Sequence, residues 1–299
     1  VSLITAQSGP GRDPAAYHPR AMDARTWLGL ESTHPTSGFR LPVVPGITAG
    51  GGFLFGGCGL GAAIVALEEV TGRPVVWATA QYLSYAHPPS ILDIDVTIGA
   101  EGHSVTQARV VGHVADTEIV AVNAALGSRD LPVEGSWVEF PDVPPPEDCE
   151  VRGPRFPGTE SIMDRIDVRL ASARSWDEIE GSPTSGGRSM LWARMPDLLD
   201  LSSGASLAIL GDYVPFGIGQ ALGRAGGGNS LDNTLRVYRL VPTEWVLLDI
   251  RIHAVAHGFG HGAVHLWSDD GTLLATASQS TIVRLMDPAA LLEALEAGR

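Results

Sequence analysis

The second half of this chain repeats the first at an offset of 156 residues, and nothing else in the sequence limits the fold as much. Tyr82, Leu92, Asp93, Ile94, Asp95 and Val96 stand opposite Tyr238, Leu248, Asp249, Ile250, Arg251 and Ile252. Read on without a gap, Gly102 falls on Gly258, Ala121 on Ala277 and Asn123 on Gln279. Periods of about 20–50 residues belong to solenoids and propellers, so a period this long means a duplicated domain. The matched stretch alternates apolar residues at period two (Leu92, Ile94, Val96, Ile98, then Leu248, Ile250, Ile252, Ala254), which is the pattern of strands.

At 299 residues the chain has room for two domains, each with its own core. The hydrophobic share of 44% and charged share of 18% are those of a globular protein. A net charge of −14, without a Lys/Arg run or basic face, argues against nucleic acid and anionic membranes as partners. No apolar run approaches the length of a membrane span. Cys58 and Cys149 have no metal-ligand spacing, which points to a reducing, cytoplasmic compartment.

The first 21 residues are polar and aperiodic, a disordered leader on this reading, and residues 22–130 form the first domain. Thr26–Leu28 and Phe39–Val44 read as strand material. Gly50–Gly61 leads into a helix over Ala62–Val70 that stops at Gly72. Strands follow at Val75–Leu83, Ser90–Gly99, Ser104–Val114 and Glu118–Leu126. Residues 131–160 are proline-rich and read as a linker, and 161–288 form the second domain, with a tail at 289–299. There the expected strands are Ile162–Leu170, Ser189–Arg194, Leu231–Tyr238, Val246–His253, Gly262–Trp267 and Leu273–Arg284. A helix is expected through Leu198–Tyr213, stopped by Pro215, before a Gly-rich connector over Pro215–Asn229. The fold class is therefore α+β: in each copy an antiparallel sheet wraps around one long helix.

Several short pieces, in order and spacing, resemble a known family. They are Phe55–Gly56–Gly57, Tyr82–Leu83, and Gly102–His103–Ser104 followed by Arg109. In the second copy they are Trp192–Asp197, Ser230–Asn233, Glu244–Trp245, Asp270–Gly271 and Ala275–Gln279. From about Trp27 to Arg284 the chain resembles the type II acyl-CoA thioesterases, which are double-hotdog proteins. The resemblance implies hydrolysis of an acyl-CoA to free acid and CoA by direct water attack, without metal or organic cofactor. It also implies a site built from an Asp, a Thr or Ser, and a Gln. The Asp carries over to Asp232 and the Gln to Gln279, while the hydroxyl position falls on His253, a departure from the family. The 156-residue offset sets these three against Val76, Thr97 and Asn123, as expected if one copy kept an active site.

On this reading Asp232 polarises the water, His253 orients it or serves as general base, and Gln279 holds it in line. Against those roles stand a turn carboxylate for Asp232, a solvated strand face for His253, and a cross-strand hydrogen bond for Gln279. Gly56 and Gly57 precede the expected helix, where free N–H groups can hold a thioester oxyanion. A tight turn explains the same glycines. The run from Gly57 to Ala62 fits a loose dinucleotide pattern, but no buried parallel strand precedes it. His253, His257, His261 and His265 recur every fourth residue, yet Gly258, Gly260 and Gly262 argue against a helical metal face. Two rival functions share the fold: an enoyl-CoA hydratase or dehydratase, and a non-catalytic acyl-CoA-binding protein. Because hotdog sheets expose long edges, a homo-oligomer, dimer or higher, is expected.

Overall fold

In the computed structural model, which describes residues 22–34, 37–153, 160–198 and 200–287, the alternating runs become strands. The expected leader and C-terminal tail lie outside the described residues. The first copy contributes β1 (Glu31–His34), β2 (Gly38–Val43), β3 (Val75–Tyr82), β4 (Ser90–Glu101), β5 (Val105–Val114) and β6 (Thr117–Gly127). The second begins with β7 (Glu150–Val151), β8 (Asp167–Ser172) and β9 (Arg188–Arg194). It continues with β10 (Gly226–Ser230), β11 (Asp232–Val237), β12 (Val246–Ala256), β13 (Phe259–Ser268) and β14 (Leu273–Leu285). The helices are α1 (Ala24–Leu28), α2 (Gly56–Thr71), α3 (Gly204–Leu210) and α4 (Val214–Leu222).

All the strands lie in one antiparallel sheet, ordered β1-β2-β4-β5-β6-β3-β11-β14-β13-β12-β9-β8-β7, with β10 pairing β14. The two copies meet where β3 pairs with β11, and there Thr79 faces Thr234 with their hydroxyls 2.7 Å apart. Each copy curls around its own helix, α2 against β3–β6 and α4 against β9, β12, β13 and β14, and one hydrophobic core runs through both. This is the double hotdog. The long inner edges that an isolated hotdog would expose are joined within the chain. The outermost strands are short, which itself discourages edge pairing. The edge argument for association is therefore met inside one molecule.

Three expectations change at helices; besides these, Ile162–Arg165 is a 3-10 helix ahead of β8, and 215–229 holds most of α4 and β10 instead of a connector. Residues 26–28 are helical rather than extended, with Asp23 capping α1 by accepting from the Thr26 N–H at 2.7 Å. Helix α2 begins at Gly56, six residues ahead of the expected start, because its glycines let α3 cross it closely. A Cβ on Gly57 would meet Ile209 Cα at 2.8 Å, and one on Gly61 would meet the Ala205 carbonyl oxygen at 3.1 Å. Each helical glycine costs about 1 kcal/mol relative to alanine. Burying Leu60, Ile64 and Leu67, all fully enclosed, contributes roughly 1.5–3 kcal/mol each and outweighs that cost. Gly57→Ala is accordingly expected to destabilise the protein by about 1–3 kcal/mol through overpacking, read as a lower urea midpoint. A midpoint at or above wild type would show that the crossing tolerates a methyl group.

The third change concerns the second helix, which is broken. Pro215 lies in the first turn of α4, where its missing N–H is harmless, and its ring cannot follow a helical carbonyl at Gly211. The proline starts one helix instead of stopping another, leaving residues 211–213 in the gap. Among the described residues no helix is long and apolar enough to cross a membrane.

The constant offset lapses across one turn. Asp93 pairs with His113 across β4–β5, twenty positions on, whereas Asp249 pairs with His265 across β12–β13, sixteen positions on. The second hairpin is four residues shorter, so β13 leaves the offset, and β14 regains it, since β6 and β14 start at Thr117 and Leu273.

Candidate active site

Asp212 occupies the break between α3 and α4, and its carboxylate is 6% exposed. Oδ2 accepts the Gly57 N–H of α2 at 2.7 Å, a bond from the first copy to the second. Oδ1 accepts the Ser230 hydroxyl at 3.3 Å and a short hydrogen bond from Gln279 Nε2. Gln279, on β14 and 3% exposed, also donates from Nε2 to Ser230 Oγ at 3.0 Å, while its Oε1 accepts the Val214 N–H at 3.1 Å. Its amide is thus used on both sides to fix Asp212, Ser230 and the first turn of α4. Burial pushes the Asp212 carboxyl above the usual carboxylate range, and the bonds from Gln279, Gly57 and Ser230 only partly offset this.

This cluster lies against a cavity of about 460 Å³ between the two copies, lined by Phe53, Phe55, Gly56 and Tyr82 on one side and Tyr213 and Ser230 on the other. Asp212 lines it too, but Gln279 does not. The approach is tight: a Cβ on Gly56 would fall 2.8 Å from Asp212 Oδ2 and 2.9 Å from Tyr82 Cζ. The Tyr82 hydroxyl is buried, with the Asn233 side chain as its polar neighbour. Burial first and the Asp212 charge next hold its pKa well above the ordinary phenol value, so it stays a proton donor at neutral pH. Gly56 opens α2, where a helix leaves its first N–H groups without intrahelical acceptors.

Of the three residues expected from the sequence, one hydrogen-bonds within this cluster. Gln279 is in the cluster. Asp232 instead opens β11, and its Oδ1 accepts the Ser280 N–H at 2.8 Å, tying the corner between β10 and β11 to β14. That bond fits the turn carboxylate set against its functional role, while the Asp232 charge also acts on Tyr82. His253 is exposed in the bulge between Ile252 and Ala254 of β12 and does not line the cavity. The carboxylate and hydroxyl beside Gln279 are Asp212 and Ser230. Of the two expected oxyanion donors, Gly57 spends its N–H on Asp212, and Gly56 faces the cavity. A signal for Asp212 was present in the sequence, since the 156-residue offset places it on Gly56, the first residue of α2. Ser230 opens one of the pieces that carry the family resemblance, Ser230–Asn233, although no role was expected of it.

The comparisons with known proteins agree with this architecture. The family described as acyl-CoA thioesterase C-terminal domain matches residues 144–283. A solved structure from Novosphingobium aromaticivorans, described as a candidate thioesterase, is 32% identical over 86% of this chain and 98% of its own, with a TM-score of 0.75. The chain belongs to the acyl-CoA thioesterase family of double-hotdog proteins. Two more distant members share the fold. Acyl-CoA thioesterase II TesB2 of Mycobacterium marinum is 20% identical, with 88% of this chain and 99% of that one covered and a TM-score of 0.67. The tesB protein of Mycobacterium avium subspecies paratuberculosis is 17% identical, with 88% and 98% covered and a TM-score of 0.70. No protein of curated function matches the chain.

Proposed function

We propose that this protein hydrolyses acyl-CoA thioesters, with Asp212 as the general base for a water molecule. The supporting observation is a buried carboxylate of raised pKa, held by three donors, at the wall of an aromatic cavity shared by both copies. Water beside Asp212 gives its proton to the carboxylate as its oxygen attacks the thioester carbonyl carbon. The developing oxyanion takes hydrogen bonds from the Gly56 N–H and the Tyr82 hydroxyl. Collapse of the tetrahedral intermediate breaks the C–S bond, and the departing thiolate recovers the proton from Asp212. Ser230, with lone-pair capacity beyond the bond it accepts from Gln279, orients the water. Gln279 is a positioning residue. A raised carboxyl pKa suits this work because a base is most effective when its pKa approaches the operating pH.

The test is release of free thiol from a panel of acyl-CoAs, run at several pH values. Thiol release is expected, with activity falling in acid as Asp212 takes up a proton. Because burial displaces its pKa upward, the midpoint should lie above that of an ordinary carboxylate, about 4. Absence of thiol release across short, long and aromatic acyl groups would overturn the hydrolytic reading. An acid midpoint at or below the ordinary carboxylate value would remove Asp212 from the role of base.

A further inference from the structure

The cavity contains a cation that the hydrolytic step leaves unused. Arg152 follows β7, and its backbone N–H continues the ladder to the Val168 carbonyl at 2.9 Å. Its side chain lines the same cavity as Asp212. The guanidinium carbon lies 4.7 Å from the Phe216 ring centroid and 5.3 Å from that of Trp176. Its one side-chain acceptor among the described residues is the Met163 sulfur, 3.8 Å from Nη1, a weak contact. No carboxylate among the described residues lies within ion-pair distance of it, and the adjoining segment 154–159 contains neither Asp nor Glu. Arg188 and Arg194, by contrast, are each paired with a carboxylate.

Aromatic faces accommodate the charge of a guanidinium but leave most of its five N–H donors unsatisfied. Arg152 is half-buried, its pKa is lowered by that burial, and no counter-ion accompanies it among the described residues. A half-buried cation with open donors gains from an anion that enters the cavity and completes it. A planar fork of N–H groups fits a carboxylate or phosphate in bidentate fashion. Because Arg152 and Asp212 share one cavity, that anion belongs to the molecule whose thioester reaches Asp212.

We propose that Arg152 binds an anionic oxygen group of the thioester substrate, either a carboxylate at the far end of the acyl chain or a phosphate of the CoA. The proposal rests on the thioesterase reading above and deepens it, making Arg152 a determinant of substrate class.

Non-hydrolysable thioethers test it by calorimetric binding, independently of turnover. The ligands are an alkyl-CoA, the ω-carboxyalkyl-CoA of equal length, and the pantetheine counterparts of both, which lack the nucleotide and its phosphates. If the anion is the acyl carboxylate, Arg152→Met should weaken both carboxylated ligands by about 10–100-fold and spare the two alkyl ligands. If it is a CoA phosphate, the loss should fall on both CoA ligands and spare both pantetheine ligands. Arg152→Lys should recover part of either loss, keeping the charge without the fork. Equal loss on all four ligands, or none above about threefold, overturns the proposal and leaves Arg152 a packing residue. Should Arg152→Met fail to fold, the wild type decides. Indifference both to the ω-carboxylate and to the nucleotide overturns the proposal, and preference for one of them supports it. Selective binding without thiol release from the matching hydrolysable thioesters would count against hydrolysis alone.

Discussion

Replacing Asp212 with Asn is expected to lower turnover about 10²–10⁴-fold, the scale for removing a positioned base, while the protein still folds and binds an acyl-CoA thioether. The amide keeps the volume and can still accept the Gly57 N–H, but it cannot take a proton from water. The expected loss should therefore fall on kcat more than on KM. The comparison that gives this meaning is Asp232→Asn. That carboxylate accepts the Ser280 N–H at a sheet corner and should be needed for stability more than for rate. Turnover of Asp212→Asn within about threefold of wild type would reduce the cluster to a structural one. Were Asp232→Asn alone to abolish turnover in a folded protein, the base would have to be sought at β11.

The largest effect on stability is expected on removing both arginines beside Asp249. This carboxylate is fully buried on β12. It accepts Arg188 Nε at 2.6 Å and Nη2 at 3.0 Å, and Arg251 Nη2 at 2.7 Å. The arginines themselves are 38% and 44% exposed, so losing one leaves the charge paired by the other. Losing both strands a buried anion, which costs about 3–5 kcal/mol. The first copy offers a control on the matching strand pair, where Arg40 bonds Asp93 at 2.9 Å with both side chains well exposed. Breaking that pair should cost about 1 kcal/mol or less. The pH dependence should separate the cases further. The arginines hold the folded Asp249 below the ordinary carboxylate value despite its burial. Its contribution is thus present above the unfolded pKa and is lost as pH falls through the folded one. Without the arginines, burial alone raises the folded pKa, and stability should instead fall as pH rises. Urea midpoints measured across that range check both signs, and a double variant within about 0.5 kcal/mol of wild type would contradict the argument.

The sheet was legible in the sequence because period-two alternation survives duplication, and β4 and β12 start 156 residues apart. Helix α2 was legible at its C-terminal end, where Gly72 caps it in a left-handed conformation. Its start was hidden because glycines read as loop, and only the close crossing of α3 explains them as helix. Pro215 can end one helix or begin another, and only the chain before it decides which. That ambiguity concealed Asp212, since a residue inside a helix is not sought as a catalytic group. Gln279 was found because both copies carry an amide near that position. Asp232 and His253 were chosen on strands, one at a corner and one in a bulge. A strand's alternation does not report either irregularity, because period two continues through a corner or a bulge while the side chains change direction.

On the proposed hydrolytic function, the seam between β3 and β11 fixes how many acyl groups one polypeptide would process. Across that seam the first copy presents Gly57 as a donor and the second presents Asp212 as its acceptor. Gly56 stands in the first copy where the carboxylate stands in the second. Two separate polypeptides associating in this way would form two mirrored workplaces, each needing its own carboxylate. Joining them in one gene relieves one half of that duty and lets its residues drift toward holding the other half in shape. A tight-binding thioether should therefore saturate at one equivalent per chain, and the stretch matched by the family, 144–283, would carry the carboxylate without the N–H that completes it.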